Sequence, residues 1–81
     1  MGMLDGKYWV VNGGGEILGV TDDDTKAADA LKDAFLEDNK GVSGVDLDRE
    51  LLSVYYKFDQ MRLARYGVDV VGYYATNERE L

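Results

Sequence analysis

Apolar and polar positions along the chain alternate in short runs at both ends and follow helical spacing in the middle. Lys7 to Asn12, KYWVVN, and Glu16 to Thr21, EILGVT, are rich in β-branched and aromatic residues, which suit a pleated, half-buried surface. The NGGGE segment between them supplies glycines for a tight loop, and the three pieces predict a β-hairpin. In TDDDTKAADALKDAFLEDN, Ala27, Ala30, Leu31, Ala34 and Phe35 recur at helical spacing and predict an amphipathic helix. Thr21 with Asp24 has capping-box spacing, and Asp22, Asp23 and Asp24 put negative charge at the positive end of the helix dipole.

From about Asp46 to Tyr66 the same periodicity returns. Leu47, Leu51, Val54, Tyr55, Phe58 and Met61 follow the three-and-four spacing of one helix face. Asp46, Asp48 and Glu50 crowd its start and Arg62 and Arg65 its end, with Gly67 placed for a left-handed cap. The run SVYYKF alone would pass for a strand, but length and periodicity decide for a second helix. Val68 to Thr76, VDVVGYYAT, predicts a last strand, and NEREL a polar tail. The expected fold is one small α+β domain over residues 1–81: a two-layer ββααβ arrangement, with a three-stranded sheet packed by two helices. The last strand is expected beside the first, leaving the second at an edge.

Composition narrows the chemistry. With no cysteine and no histidine, the chain has no thiolate ligand or nucleophile, and it lacks the commonest general base and transition-metal ligand. Ser43, Ser53, Thr21, Thr25 and Thr76 are hydroxyl candidates without a histidine to activate them. The glycine triplet lacks a glycine at Leu18 for a dinucleotide fingerprint, and no lysine and hydroxyl follow it as in a P-loop. A turn is therefore the better reading.

The loop DNKGVSGVDLDRE, residues 38–50, raises calcium as a question. Counted from Asn39, Gly44 and Glu50 fall at the sixth and twelfth EF-hand positions, but Gly41 and Ser43 occupy ligand positions and Asp46 an apolar one. One well-placed carboxylate is too few for calcium, so the segment reads as a connector in which Ser43 or Asp46 caps the second helix. Asp22–Asp24 as a magnesium site is likewise outweighed by helix capping. No cofactor or metal is expected, and no enzymatic activity.

Charge points elsewhere. The net charge is −7, and residues 1–48 carry all of the excess: 11 acids against 4 bases, whereas residues 49–81 carry 5 of each. Such a surface repels nucleic-acid backbones and favours basic proteins. Asp29, Asp33 and Glu37 form a column with a rise of about 6 Å per step. A second candidate surface is the sheet, where Trp9 with Tyr73, or Tyr8 with Tyr74, would lie on a face that the helices leave open. No apolar run approaches the roughly 18 residues of a membrane span, and the amino terminus lacks a basic-then-apolar signal. A cytoplasmic location is expected.

In size, acidity and lack of cysteine the chain resembles the small inhibitors that phages and mobile elements encode, anti-CRISPR proteins and DNA mimics among them. The resemblance, in size and composition only, suggests a non-enzymatic binding module that occupies a basic partner surface. The charge pattern offers Asp22, Asp23, Asp24, Asp29, Asp33 and Glu37 for that contact, and the strand alternation Trp9 and Tyr73. Its partner would be a basic protein, for example in a nucleic-acid-handling complex. The alternative is a structural or accessory module that forms a homodimer through the open sheet face.

Overall fold

The computed structural model describes residues 7–41 and 49–77. In chain order these form β1 (Tyr8–Val11), β2 (Ile17–Thr21), α1 (Asp24–Asp38), a 3-10 turn over Arg49–Leu51, β3 (Leu52–Lys57), β4 (Gln60–Arg65) and β5 (Val68–Thr76). The strands make one antiparallel five-stranded sheet in the order β2-β1-β5-β4-β3. The expected ββααβ arrangement, three strands under two helices, is thus corrected to five strands and one helix. The remainder of the segment 38–50, with the expected caps Ser43 and Asp46, lies largely outside the described residues, as does the end of the tail.

The first hairpin and the last strand form as their patterns predict, and β5 lies beside β1 with β2 at the edge. Gly15, at φ 84°, turns the first hairpin, while the Asn12 side chain accepts from the amides of Gly14 and Glu16 at 2.9 and 3.0 Å. Gly13 serves close approach instead. A Cβ there would sit 2.8 Å from the Tyr73 hydroxyl oxygen.

Helix α1 also forms, but its cap is Asp23 rather than Thr21. The Asp23 carboxylate accepts from the amides of Thr25 and Lys26, at 2.8 and 3.2 Å, satisfying donors that the first turn leaves without partners. Thr21 Oγ1 instead accepts from the Asp23 amide at 3.2 Å. The predicted stripe faces the sheet: Ala27, Leu31 and Phe35 are buried, with Ala30 and Ala34 packed beside them.

The second helix is replaced by the β3–β4 hairpin. The apolar positions that pack alternate along the strands: Leu52 and Val54 on β3, Met61 and Leu63 on β4, so that of the predicted helix face only Val54 and Met61 join the core among the described residues. Phe58, assigned to that helix face, is 83% exposed at the hairpin tip. Phe58 and Asp59 take φ of 52° and 60°, and Lys57 pairs with Gln60 across them, the geometry of a two-residue turn with both central residues left-handed. Tyr66 and Gly67 (φ 54° and 78°) turn β4 into β5 in the same way, so Gly67 ends a hairpin rather than a helix. Asn-Gly or Asp-Gly would have announced such turns; Phe-Asp does not.

Alternation sorts the strands into two faces. Beneath α1 lie Tyr8, Val10, Leu52, Met61, Leu63, Tyr73 and Ala75. The cross-strand register places two rows on the opposite face: Val20, Trp9, Thr76, Gln60 and Lys57, then Ile17, Val11, Tyr74, Arg62 and Tyr55. A helix about 10 Å across covers only part of a sheet whose strands lie about 4.8 Å apart. Accordingly α1 packs mainly on the central strands β1 and β5.

Two outcomes test this fold. Leu31→Ala, at a fully buried position, is expected to cost about 2–5 kcal/mol in chemical unfolding. Replacing Phe58 by Asn together with Asp59 by Gly is expected to stabilise by about 1 kcal/mol, because two strained left-handed residues are relieved. The loss opposing it is the exposed contact of Lys57 Nζ with the Phe58 ring, 5.6 Å from its centroid, worth about 0.5–1 kcal/mol. A helix over 46–66 would be weakened by that glycine, and the melting temperature would fall.

Candidate functional surfaces

The acidic candidates all lie on the helix layer, outside the core. Asp22, Asp29, Asp33 and Glu37 are exposed, and Asp24 is half-buried at the first turn. Asp23 is exposed too, but its carboxylate is engaged in the cap. The column is not a free line of charge. Arg49 reaches across from the 3-10 turn, its Nη1 lying 3.9 Å from Asp29 and its Nη2 in contact with Asp33. Lys40 Nζ stands 3.7 Å from Glu37. Exposed pairs of this kind add little stability, yet one guanidinium offsets charge at two of the column's three positions. Arg49 was expected near the start of a helix, so its role as a clamp was not legible in the spacing.

Trp9 and Tyr73 do not share a surface. Trp9 is half-buried on the open face, opposite Thr76 and Val20. Tyr73 is buried on the helix face, its ring edge-on to Phe35 with centroids 5.2 Å apart. Its hydroxyl donates to Asp38 Oδ2 at 3.0 Å. Burial, then the hydrogen bond to Asp38, raises the Tyr73 pKa above the ordinary 10.0. Tyr73 is therefore part of the core that seats the helix. The alternative pair, Tyr8 and Tyr74, is also divided: Tyr8 lies in the core and Tyr74 on the open face.

The open face is graded. At its β2–β1 end Ile17 and Val20 are exposed, Trp9 is half-buried and Val11 is fully buried, as is Thr76 beside Trp9; at its β4–β3 end stand Arg62, Gln60, Lys57 and Tyr55. The charged end is organised around Asp69. Lys57 Nζ lies 3.6 Å from Asp69 Oδ2, Arg62 Nη2 lies 3.8 Å from Oδ1, and the Tyr55 hydroxyl hydrogen-bonds to the carboxylate. Arg62 also donates to Gln60 Oε1 at 2.9 Å and stacks over Tyr74, 5.5 Å from the ring centroid. The Tyr55 hydrogen bond is the chief reason that the Asp69 pKa lies below 3.8, with Arg62 and Lys57 adding to it against desolvation. The same bond raises Tyr55 above 10.0. Sequence reasoning missed this group because Tyr55, Lys57 and Arg62 were assigned to a helix; the strand-like run SVYYKF was the available signal.

Hollows mark the surface of the described residues. One of about 320 Å³ lies between α1 and the β3–β4 hairpin, lined by Asp24, Asp29, Lys32, Val54, Tyr56 and Met61 among others. Another of about 260 Å³ is bordered by Phe35, Arg65, Tyr66 and Val70, and a third of about 300 Å³ by Lys7, Val20, Thr21 and Asp22. Among the described residues no group of three or more acidic side chains is placed to hold a metal ion, and no helix is long and apolar enough to cross a membrane. No protein-family model matches the chain, and neither a curated protein nor a solved structure matches it.

The Asp69 group makes a pH prediction. A carboxylate whose pKa is lower folded than unfolded contributes stability above its unfolded value and loses it as pH falls through the folded one. Carbon-13 NMR should therefore place the Asp69 midpoint below 3.8, with the network's contribution lost on further acidification. Tyr55→Phe is expected to move that midpoint up towards 3.8. An unmoved midpoint would remove Tyr55 from the network.

Proposed function

We propose that the chain is a non-enzymatic protein-binding module whose acidic helix layer occupies a basic surface of a partner protein, in the manner of a small inhibitor. The observation that carries this reading is the separation of charge between the two layers. Residues 22–38 hold seven acids and two lysines, and α1 turns its apolar stripe inward, leaving these charges outward. The opposite face presents Lys57 and Arg62 around the single carboxylate of Asp69. A molecule with so polarised a surface is oriented by a basic partner during encounter, which raises the association rate and rejects acidic competitors.

The Arg49 clamp shapes the partner. With Asp29 and Asp33 sharing a guanidinium, and Lys26 and Lys32 interrupting the field, the layer is an irregular acidic patch rather than an evenly charged rod. It suits a basic protein surface, for example in a nucleic-acid-handling complex, better than a groove shaped to a duplex backbone. A homodimer through the open face is the second reading, favoured by the partial exposure of Ile17 and Val20 beside Trp9.

A tagged pull-down at low salt and at roughly 0.5 M salt, where screening acts within a few ångströms, identifies the partner. Affinity measurements on variants then test the reading. Asp29→Asn, Asp33→Asn and Glu37→Gln together are expected to weaken binding about tenfold or more, each removed rim charge being worth up to about 1 kcal/mol. Arg49→Gln is expected to tighten it about threefold at low salt by releasing two carboxylates. Equal affinity for all three chains at both salt concentrations would leave the charge with a solubilising role only.

A further inference from the structure

The outer edge of β2 is the feature that neither the acidic layer nor the open face accounts for. Its residues, ILGVT, include no charge and no proline, and Ile17, Leu18 and Val20 are 38%, 47% and 46% exposed. One side of the strand pairs with β1; the other has no strand beside it among the described residues. Every second residue of such an edge directs its N–H and C=O away from the sheet. Sheet proteins normally blunt an edge of this kind with lysine, proline or a covering element. The other edge strand, β3, ends in Lys57. The β1–β2 ladder does carry a bulge between Val10 and Val11, but β2 is left uncharged on both sides of it.

We infer that the edge of β2 takes up an extended segment of a basic partner as a sixth strand. This rests on the acidic-module reading and adds the means of attachment. Charge decides between the two occupants that an open edge admits. Glu16 immediately precedes β2, and Asp22 and Asp23 immediately follow it, so carboxylates stand at both ends of an apolar strand. In a symmetric dimer, the register that pairs all five residues is centred on Gly19 and sets Glu16 opposite Asp22 of the second copy. Like charges directly opposite are destabilising. An incoming strand with an apolar middle and lysine or arginine at its ends meets those same carboxylates favourably. A hollow lined by Lys7, Val20, Thr21 and Asp22 lies at the carboxyl end of β2. Main-chain bonds then supply affinity, and the flanking charges supply orientation.

Three synthetic peptides test this on the full chain: one of alternating valine and threonine with two lysines at each end, the same peptide N-methylated at alternate amides, and one with glutamates replacing the lysines. Residue-resolved amide exchange by NMR is the readout. The lysine-flanked peptide is expected to slow exchange of β2 amides tenfold or more while leaving β3 unchanged, and the other two to bind at least tenfold more weakly. Val20→Lys, at an exposed position that leaves the core intact, is expected to abolish the protection with β1 and β5 signals in place. Equal binding of the N-methylated peptide would overturn the added strand, as would protection mapping to α1, although either result leaves the acidic reading standing. Failure of every peptide to bind would also overturn it, as would β2 protection that grows with protein concentration without peptide and assigns the edge to a second copy.

Discussion

The structure turns on the seat of α1 at Tyr73. One side chain brings three parts of the chain together: its ring meets Phe35 on the helix edge-on, its hydroxyl donates to Asp38 at the helix end, and its body lies against Gly13 in the first turn. Each contact limits the others. A side chain at position 13 would push the ring away, and the same turn backbone crowds Gly72, whose Cβ would lie 3.0 Å from the Gly13 carbonyl oxygen. Asp38 is an acid at the negative end of a helix dipole, an unfavourable place for it, and the Tyr73 hydroxyl gives it a donor there. Because β5 is the middle strand, whatever fixes Tyr73 fixes the helix over the centre of the sheet.

The central seating governs what remains exposed. One helix over the middle leaves both outer strands lightly covered, and the sheet treats them differently. On the open face the β3–β4 end is closed by charge: Asp69 gathers Lys57, Arg62 and Tyr55, and Arg62 lies over Tyr74. At the β2 end no such group forms among the described residues, and the exposed Ile17, Leu18 and Val20 remain on a strand with no neighbour among those residues on its outer side. That end leads directly into the acidic first turn of α1, so the two features proposed for binding adjoin one another in sequence.

How legible this was depended on whether local signals agreed with one another. The first hairpin, α1 and β5 each combined composition, periodicity and turn chemistry in the same direction, and each formed within a residue or two of its expected limits. Residues 49–66 carried conflicting signals. Leu51, Val54, Tyr55, Phe58 and Met61 fit a helix face by spacing, while SVYYKF fit a strand by propensity, and the turn between β3 and β4 is made by Phe58 and Asp59, which do not advertise it. Once that segment was assigned to a helix, the Asp69 group was out of reach, since Lys57 and Arg62 meet Asp69 only across a sheet. The acidic line on α1 was legible from its four-residue spacing; the Arg49 clamp upon it was not, because it comes from another element.

The sequence by itself determined what could be decided by neighbours a few residues apart: the amphipathic helix, the glycine-turned hairpin, the terminal strand, the sign and location of the charge, and the absence of cysteine and histidine chemistry. Tertiary structure alone decided which of two periods residues 52–65 obey, which face each aromatic takes, and which carboxylates keep cationic neighbours. The physical reason is that an apolar position records only that it is to be buried, and the surface that buries it lies elsewhere in the chain. Leu52, Met61 and Leu63 satisfy that demand against strands and a helix distant in sequence, and two left-handed turns at Phe58–Asp59 and Tyr66–Gly67 are tolerated because the five-stranded sheet they close is the more stable whole.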